Sequence, residues 1–188
     1  MIKSIFDLLN TKQHLTNAAM EELSLLVREI EFQKGEIIQK TGSTCRTIYF
    51  VKEGIARIFY YQDGDDITEY FAFSGDIIIR AESLFTGLPT HKGIESLSST
   101  VVYAIDSFEL EKLFDKYQEI ERLFRIIYQN AFVHYVRRTE SLQLKTARER
   151  YDDLVNTTDI VSQIALKHIA TYLGITQVSL SRIRSEKR

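Results

Sequence analysis

Several residue types that carry chemistry are scarce in this chain of 188 residues. Cys45 is its one cysteine, which excludes an internal disulfide and any all-cysteine iron–sulfur cluster within one chain. The four histidines are scattered and show no metal-ligand spacing. Tryptophan is absent, and Pro89 is the only proline. We therefore expect no metal and no resident cofactor.

Long apolar runs are also missing, since no stretch approaches the ~20 apolar residues that cross a bilayer. Residues Met1 to Asp7 include an acid and lack the apolar core of a signal peptide, so we expect a cytoplasmic protein. No glycine-rich phosphate loop and no Ser-His-Asp spacing is present. The clustered histidines and carboxylates of a cupin-like catalytic pocket are missing too. These absences argue against an enzyme.

The period of the apolar residues divides the chain into three parts. Residues 1 to about 30 have helical spacing, with leucines such as Leu8 and Leu9 and a capped helix start at Thr16. From Glu31 to about Ile105 the period is two, and glycine turns separate short stretches rich in β-branched and aromatic residues. From Ser107 the helical period returns. The pattern predicts an α+β chain with an N-terminal antiparallel β-roll, of the jelly-roll kind, followed by helices.

The last 25 residues contain two short helical patterns around a glycine. An apolar face within residues 166–173 stops at Gly174, and a second helix opens at Thr176, a good N-cap. Val178 or Leu180, together with Ile183, would form the buried face of that second helix. Its other face is polar and basic. This arrangement is typical of a helix-turn-helix, which places its second helix in the DNA major groove.

Paired amphipathic helices also occur in domains that never contact DNA, so the charge distribution matters. From Asp159 to Arg188 there are five Lys or Arg against two Asp or Glu, a net charge of +3, whereas the whole chain carries −2. A basic segment on an acidic body is expected of a DNA-binding protein, because phosphate neutralisation supplies most of the affinity. The residues predicted to face DNA are Lys167, Thr176, Gln177, Val178, Ser179, Ser181, Arg182 and Arg184.

A long apolar stripe crosses the region between the β-roll and the helix-turn-helix. It fits a helix buried against its own domain, and it fits the seam of a coiled-coil-like dimer equally well. We expect the seam, because helix-turn-helix proteins commonly bind DNA as symmetric dimers. The predicted seam residues are Ile120, Phe124, Ile127, Ala131 and Tyr135.

Several motifs carry a family resemblance. Phe32-Gln-Lys-Gly-Glu36, Ile48-Tyr-Phe-Val-Lys-Glu-Gly54 and Phe73-Ser-Gly-Asp76 occur in this order, and Leu173 to Arg184 is the strongest match. With the order of elements, they resemble the Crp/Fnr family of bacterial transcription regulators over nearly the whole chain. The resemblance implies a cyclic-nucleotide-binding-like sensor domain (1–116), a connecting dimerisation helix (117–143) and a helix-turn-helix domain (144–188). It also implies a homodimer, double-stranded DNA as ligand, and RNA polymerase as a further partner.

The chain departs from this family in the segment that binds the cyclic phosphate. Cyclic-nucleotide-binding members have a Gly-Glu pair and an Arg-Ser or Arg-Thr pair there. In this chain Ala81 and Glu82 stand at the first pair, and residues 90–93 contain Lys92 but no arginine. Lysine supplies charge without a bidentate fork, and Arg80 lies too early, so we expect weak or no cyclic AMP binding. A different small-molecule or nucleotide effector would contact Tyr70, Ile79, Glu82, Lys92 and Tyr128.

Matching the recognition helix position by position implies a role for each residue. Arg182 is the best candidate for a base edge, most simply guanine, and Gln177 for adenine or a phosphate. Val178 replaces the family's glutamate and suits a thymine methyl, whereas Ser179 and Lys167 suit phosphates. A second class of function stays open: a ligand-sensing β-roll protein whose C-terminal helices bind a protein partner rather than DNA.

Overall fold

A computed structural model describes residues 13–157 and 162–185, and within these ranges the chain forms eight strands and seven helices. The strands are β1 (Arg28–Phe32), β2 (Ile37–Gln39), β3 (Thr47–Glu53), β4 (Ala56–Gln62), β5 (Asp65–Ala72), β6 (Ile77–Ile78), β7 (Gly93–Ser96) and β8 (Thr100–Asp106). The helices are α1 (Asn17–Leu26), α2 (Ala81–Thr86), α3 (Ser107–Lys116), α4 (Gln118–Leu144), α5 (Ala147–Thr157), α6 (Leu166–Tyr172) and α7 (Gln177–Ser185). The predicted helical positions Leu8 and Leu9 lie outside the described residues.

The predicted antiparallel β-roll is confirmed. Two four-stranded sheets, in the orders β1-β8-β3-β6 and β2-β7-β4-β5, lie face to face. Between them the alternating apolar side chains of both sheets form one core. Its members include Tyr49, Val51, Ala56, Ile58, Ile78, Ile94, Val102 and Ala104. The first strand begins at Arg28, earlier than the predicted Glu31, because the chain turns extended at Val27 and residues 28–32 pair with β8.

Gly54, in the turn between β3 and β4, shows why glycines punctuate the roll. Its φ is +90°, a left-handed conformation that side chains disfavour. A Cβ at this position would lie 2.3 Å from the Ser99 carbonyl oxygen, closer than real contacts allow. The turn between these two strands therefore requires glycine for both its conformation and its packing.

The long helix α4 has two different halves. Its N-terminal half packs against α1, α3 and the outer face of β3 and β8, in a core that includes Leu23, Phe50 and Leu110. Ile120 and Phe124 are 0% exposed there and Ile127 is 5% exposed. The prediction that these three residues form a dimer seam is therefore wrong, since their own β-roll covers them. Of the predicted seam, Ala131 is half-buried and Tyr135 is exposed.

The C-terminal helices do not stand apart from the β-roll. Ile55, Phe71 and Leu97 of the roll belong to the same buried cluster as the apolar residues of α5, α6 and α7. The helical members of this cluster are Tyr151, Leu154, Ile164, Ile169, Ala170, Leu173 and Leu180. The two predicted units, 1–116 and 144–188, thus share a core, and a division into independent domains stays a prediction.

Candidate functional site

A cavity of about 1400 Å³ lies between the β-roll, the C-terminal half of α4 and the last two helices. All five predicted effector residues line it, namely Tyr70, Ile79, Glu82, Lys92 and Tyr128. Thr176 and Gln177, at the start of α7, line the same cavity, and so does Lys167 of α6. The structure therefore brings the predicted effector residues and part of the predicted DNA-facing set to one shared space.

The charged groups of this cavity are largely engaged with each other. Lys92 Nζ lies 2.7 Å from Glu69 Oε1, so its charge is already paired. Glu82 is exposed in the first turn of α2. Lys92 is therefore not a free partner for a phosphate.

Arg80 is 2% exposed and connects neighbouring loops through hydrogen bonds. Its Nε donates to the Gln39 side chain at 2.9 Å, and its Nη1 donates to the carbonyls of Lys40 and Lys92 at 2.9 and 2.8 Å. Its Nη2 donates to Ser43 Oγ at 3.3 Å. Four of the five N–H donors of the guanidinium are thus used by the protein itself.

Two tyrosines form the aromatic part of the wall. The rings of Tyr128 and Phe85 meet edge to face with centroids 5.3 Å apart, and Tyr128 also contacts Phe124. Burial raises the pKa of both Tyr70 and Tyr128 above the usual tyrosine value. Both hydroxyls therefore stay protonated, and each can donate a hydrogen bond to a ligand.

The predicted helix-turn-helix geometry is present in α6 and α7. Gly174 has a φ of +68°, its N–H donates to Thr171 O, and the N–H of Ile175 donates to Ala170 O. These two bonds form a Schellman motif, which ends α6 and turns the chain sharply. Thr176 caps α7, since its Oγ1 accepts from the Ser179 N–H at 3.2 Å.

Leu180 anchors α7 and leaves the opposite face free. Leu180 is 0% exposed, whereas Val178 is 62% exposed, so Leu180 rather than Val178 forms the buried face. Ser179 is half-buried, and its hydroxyl lies 3.0 Å from Thr176 Oγ1, so it contributes first to the cap. The remaining predicted DNA-facing residues are exposed: Lys167, Thr176, Gln177, Val178, Ser181, Arg182 and Arg184.

Two arginines from other helices donate hydrogen bonds to carbonyl groups of this turn. Nη2 of Arg138, in α4, donates to the Tyr172 carbonyl, and Nε of Arg150, in α5, donates to the Leu173 carbonyl at 3.0 Å. Carbonyls at the end of a helix have no intrahelical partner and carry the negative end of the helix dipole. The two cations therefore stabilise the turn that positions α7.

A buried charge network lies beneath α6. Arg57 in β4 is 2% exposed, and its guanidinium binds Asp66 with two hydrogen bonds of 2.6 and 2.8 Å. It also donates to Glu95 at 2.7 Å. Burial would raise the pKa of Asp66, but the hydrogen bonds and positive charge of Arg57 outweigh burial and lower it. Asp66 Oδ2 in turn lies 3.9 Å from Lys167 Nζ and 3.8 Å from His168 Nδ1.

The sequence interpretation missed Arg57, Asp66, Arg138 and Tyr172. One signal was available, because Arg57 is the only charged residue in the apolar stretch 55–61, which points to a buried ion pair. Its partners come from other strands and carry no local signature.

In the described ranges 13–157 and 162–185, no group of three or more histidines, cysteines or carboxylates could hold a metal ion. None of the helices in these ranges combines the length and the apolarity that crossing a bilayer requires.

Comparisons with known proteins agree with this geometry. Residues 29–117 match the family model of the cyclic nucleotide-binding domain. No curated protein sequence matches the chain. The fold of residues 29–117 is therefore that of a cyclic nucleotide-binding domain.

Solved structures extend the likeness to the whole chain. FixK2 from Bradyrhizobium japonicum is 22% identical with a TM-score of 0.73, over 85% of this chain and 83% of that chain. A protein from Eubacterium rectale assigned to the Crp/Fnr family of transcriptional regulators is 20% identical with a TM-score of 0.70, over 90% and 82%. CLP, a c-di-GMP-responsive global regulator from Xanthomonas campestris, is 13% identical with a TM-score of 0.68, over 91% of each chain. The predicted resemblance to the Crp/Fnr family is thus confirmed, and the chain has the fold of these regulators.

The docking of α6 on β5 should depend on pH through His168. Burial lowers the pKa of His168 to about 4, and the nearby Arg57 adds to this effect. The unfolded chain, with a histidine pKa of about 6.5, then binds the proton more tightly, so stability should fall as the pH drops from 6.5 towards 4. We expect the thermal midpoint of His168→Gln to fall less than that of the wild type over this range. His91→Gln, at an exposed position, should leave the wild-type slope unchanged; equal slopes for all three proteins would contradict the assignment.

Proposed function

We propose that the protein is a sequence-specific DNA-binding transcription regulator of the Crp/Fnr type, which acts as a homodimer in the cytoplasm. The observation that carries the proposal is the polar and basic outer face of α7, held clear of the core by the Schellman turn and the buried Leu180. A helix that is anchored on one side and exposed on the other fits the major groove. The likeness to known regulators at the level of fold supports the same function.

On this proposal the N-terminal and middle residues of α7 read the bases. Arg182 is exposed and forms no ion pair with any described residue, so its guanidinium is available to a guanine. Gln177 suits adenine, and the exposed Val178 suits a thymine methyl group. Lys167 is exposed and weakly paired with Asp66 at 3.9 Å, which suits a phosphate contact. RNA polymerase would be the further partner of a regulator bound at a promoter.

The dimer would form through the C-terminal half of α4. This half presents large apolar side chains that the protomer itself leaves exposed: Phe132, Val133, Tyr135 and Val136. Such a strip on one helix is typical of a helix–helix interface between subunits. The proposed seam therefore begins at Phe132, about three turns later than the predicted start at Ile120.

The effector would bind in the cavity between the roll, α4 and α7. Because Thr176 and Gln177 border this cavity, a ligand there can contact the recognition helix directly. A ligand that fits one packing of α7 better than another would shift the population of DNA-binding conformations. The cavity is not suited to cyclic AMP, because Lys92 is paired with Glu69 and Arg80 is used by the loops.

The dimer interface can be tested at Val136. Val136→Asp places a charge in the exposed apolar strip, so we expect monomers by light scattering with little change in thermal stability. Gln118→Asp adds the same charge at the other end of α4 and should leave the dimer intact. A soluble Val136→Asp protein that stays dimeric would move the seam elsewhere. Ile127→Asp does not test the seam, because an unpaired carboxylate in the core should cost several kcal/mol and unfold the chain.

Cyclic AMP should bind weakly or not at all, as measured by titration calorimetry. The negative phosphate meets a lysine that is already paired with Glu69 and a buried arginine that uses four of its five N–H donors within the protein. Glu69→Gln removes the competing carboxylate, so any residual affinity for cyclic AMP should increase in this variant. Micromolar affinity of the wild-type protein would contradict this prediction, because it would show that the segment binds the cyclic phosphate without the family's arginine.

DNA binding can be tested by selection from a random pool, followed by substitutions. A two-fold dimer should select a near-palindrome with half-sites about 10 base pairs apart. Arg182→Ala should cost roughly 1–3 kcal/mol and relax the preference at one position per half-site. Lys167→Ala should weaken binding to all sequences alike and lower the salt slope by about one unit.

The pattern of losses decides between the assignments. If Arg182→Ala weakens specific and non-specific binding equally, Arg182 contacts only a phosphate. If the wild-type protein selects no sequence and neither substitution matters, the C-terminal helices bind a protein partner instead of DNA.

A further inference from the structure

Tyr172, the last residue of α6, is held between the sensor and the long helix. On one side its ring centroid lies 4.7 Å from that of Phe71 in β5. On the other side the Arg138 guanidinium of α4 lies over the ring, 3.8 Å from its centroid. One side chain of the helix-turn-helix therefore contacts both the β-roll and the long helix, in a stack formed by Phe71, Tyr172 and Arg138.

The backbone is held at the same place. The amide of Thr68, in β5, donates to Thr171 Oγ1 at 3.1 Å, and Arg138 also donates to the Tyr172 carbonyl. The Schellman turn at Gly174 follows two residues later, and α7 begins at Gln177. Because the turn is short and hydrogen-bonded throughout, the position of Tyr172 determines where α7 starts and where it points.

The buried guanidinium of Arg138 lacks a hydrogen-bond partner for one of its donors. Arg138 Nε is buried and has no hydrogen-bond partner, and burial lowers the pKa of the guanidinium. A buried donor without an acceptor is unfavourable, and the cation–π contact with Tyr172 offsets part of that cost. Because the guanidinium contacts both the ring and the carbonyl of Tyr172, it restricts the orientation of this residue relative to α4.

From these contacts we propose that Tyr172 is a positioning residue for the recognition helix: stacked between Phe71 and Arg138, it sets the placement of α7 relative to α4 and the β-roll. This inference rests on the proposed DNA-binding function. It assigns Tyr172 no contact with DNA, so its effect on DNA binding must be indirect.

Hydrogen exchange at three places, Thr68, Leu180 and strand β8, reports separately on the stack and on the fold. The Thr68 amide is hydrogen-bonded to Thr171 across the contact, so its hydrogen exchange measures release of α6 from β5. The Leu180 amide, bonded to Thr176 O at 3.0 Å, reports whether α7 stays folded. The amides of β8, at the centre of its sheet, report on the roll.

Tyr172→Leu removes the ring but keeps an apolar side chain, and Tyr172→Phe keeps the ring as the matched control. We expect exchange at Thr68 to become about tenfold faster in Tyr172→Leu, with Leu180 and β8 unchanged, and to stay at the wild-type rate in Tyr172→Phe. Arg138→Met removes the cation–π contact and the hydrogen bond to the Tyr172 carbonyl while keeping the sequence of α6, and should also release Thr68. If Tyr172→Leu unfolds α7, so that the Leu180 amide exchanges freely, the exchange rate of Thr68 in Arg138→Met tests the proposal instead.

The DNA measurement uses the sequence selected by the wild-type protein. Tyr172→Leu should change the affinity for that sequence about tenfold with an unchanged salt slope, because no phosphate contact is lost, and Tyr172→Phe should bind as the wild type does. The proposal is overturned if Thr68 keeps its wild-type exchange rate in both Tyr172→Leu and Arg138→Met. It is equally overturned if Thr68 is released but the affinity does not change. If the wild-type protein selects no DNA, the proposed function fails and this inference with it, whereas the exchange rates still show whether the stack holds α6.

Discussion

The apolar contact between the β-roll and α6 determines where α7 lies. Strand β5 is at the edge of its sheet, and exposure of its apolar side chain Phe71 to water would be unfavourable. Helix α6 covers it: Phe71 becomes 3% exposed, and Thr171 accepts the hydrogen bond that the Thr68 amide offers. Helices α6 and α7 therefore share a core with the β-roll, and their orientation follows from the packing on β5.

The charges under this contact are paired within the sheet. Arg57, Asp66 and Glu95 satisfy each other there, and His168 beside them is neutral because burial lowers its pKa. Buried ion pairs add little net stability, because desolvation offsets their attraction. These ion pairs join strands of one sheet, so a shift of α6 would not break them. In this region apolar burial supplies the affinity of the contact, and the hydrogen bond from the Thr68 amide to Thr171 Oγ1 fixes its register.

Helix α4 links the β-roll, the exposed apolar strip and the turn before α7. Its first half is buried by α1, α3 and the roll, and its second half lines the cavity and carries the exposed apolar strip. Arg138, in this second half, contacts the turn before α7. A change in the cavity or at the proposed seam would thus act on the same few turns of helix, which on the proposed function would connect ligand binding to DNA binding.

Local sequence signals were sufficient for the elements of the fold. The apolar period of two identified the strands of the roll, and Gly174 with Thr176 located the turn of the helix-turn-helix, because backbone sterics and side-chain alternation act over a few residues. The same signals could not separate Ile127 from Tyr135, which share one apolar stripe: the roll covers the first and leaves the second exposed. Nor could they pair Arg57 with Asp66 and Glu95, or Tyr172 with Phe71 and Arg138. Apart from Asp66, which is nine residues from Arg57, these partners lie far apart in sequence, and only the packing of strands and helices brings them within contact distance.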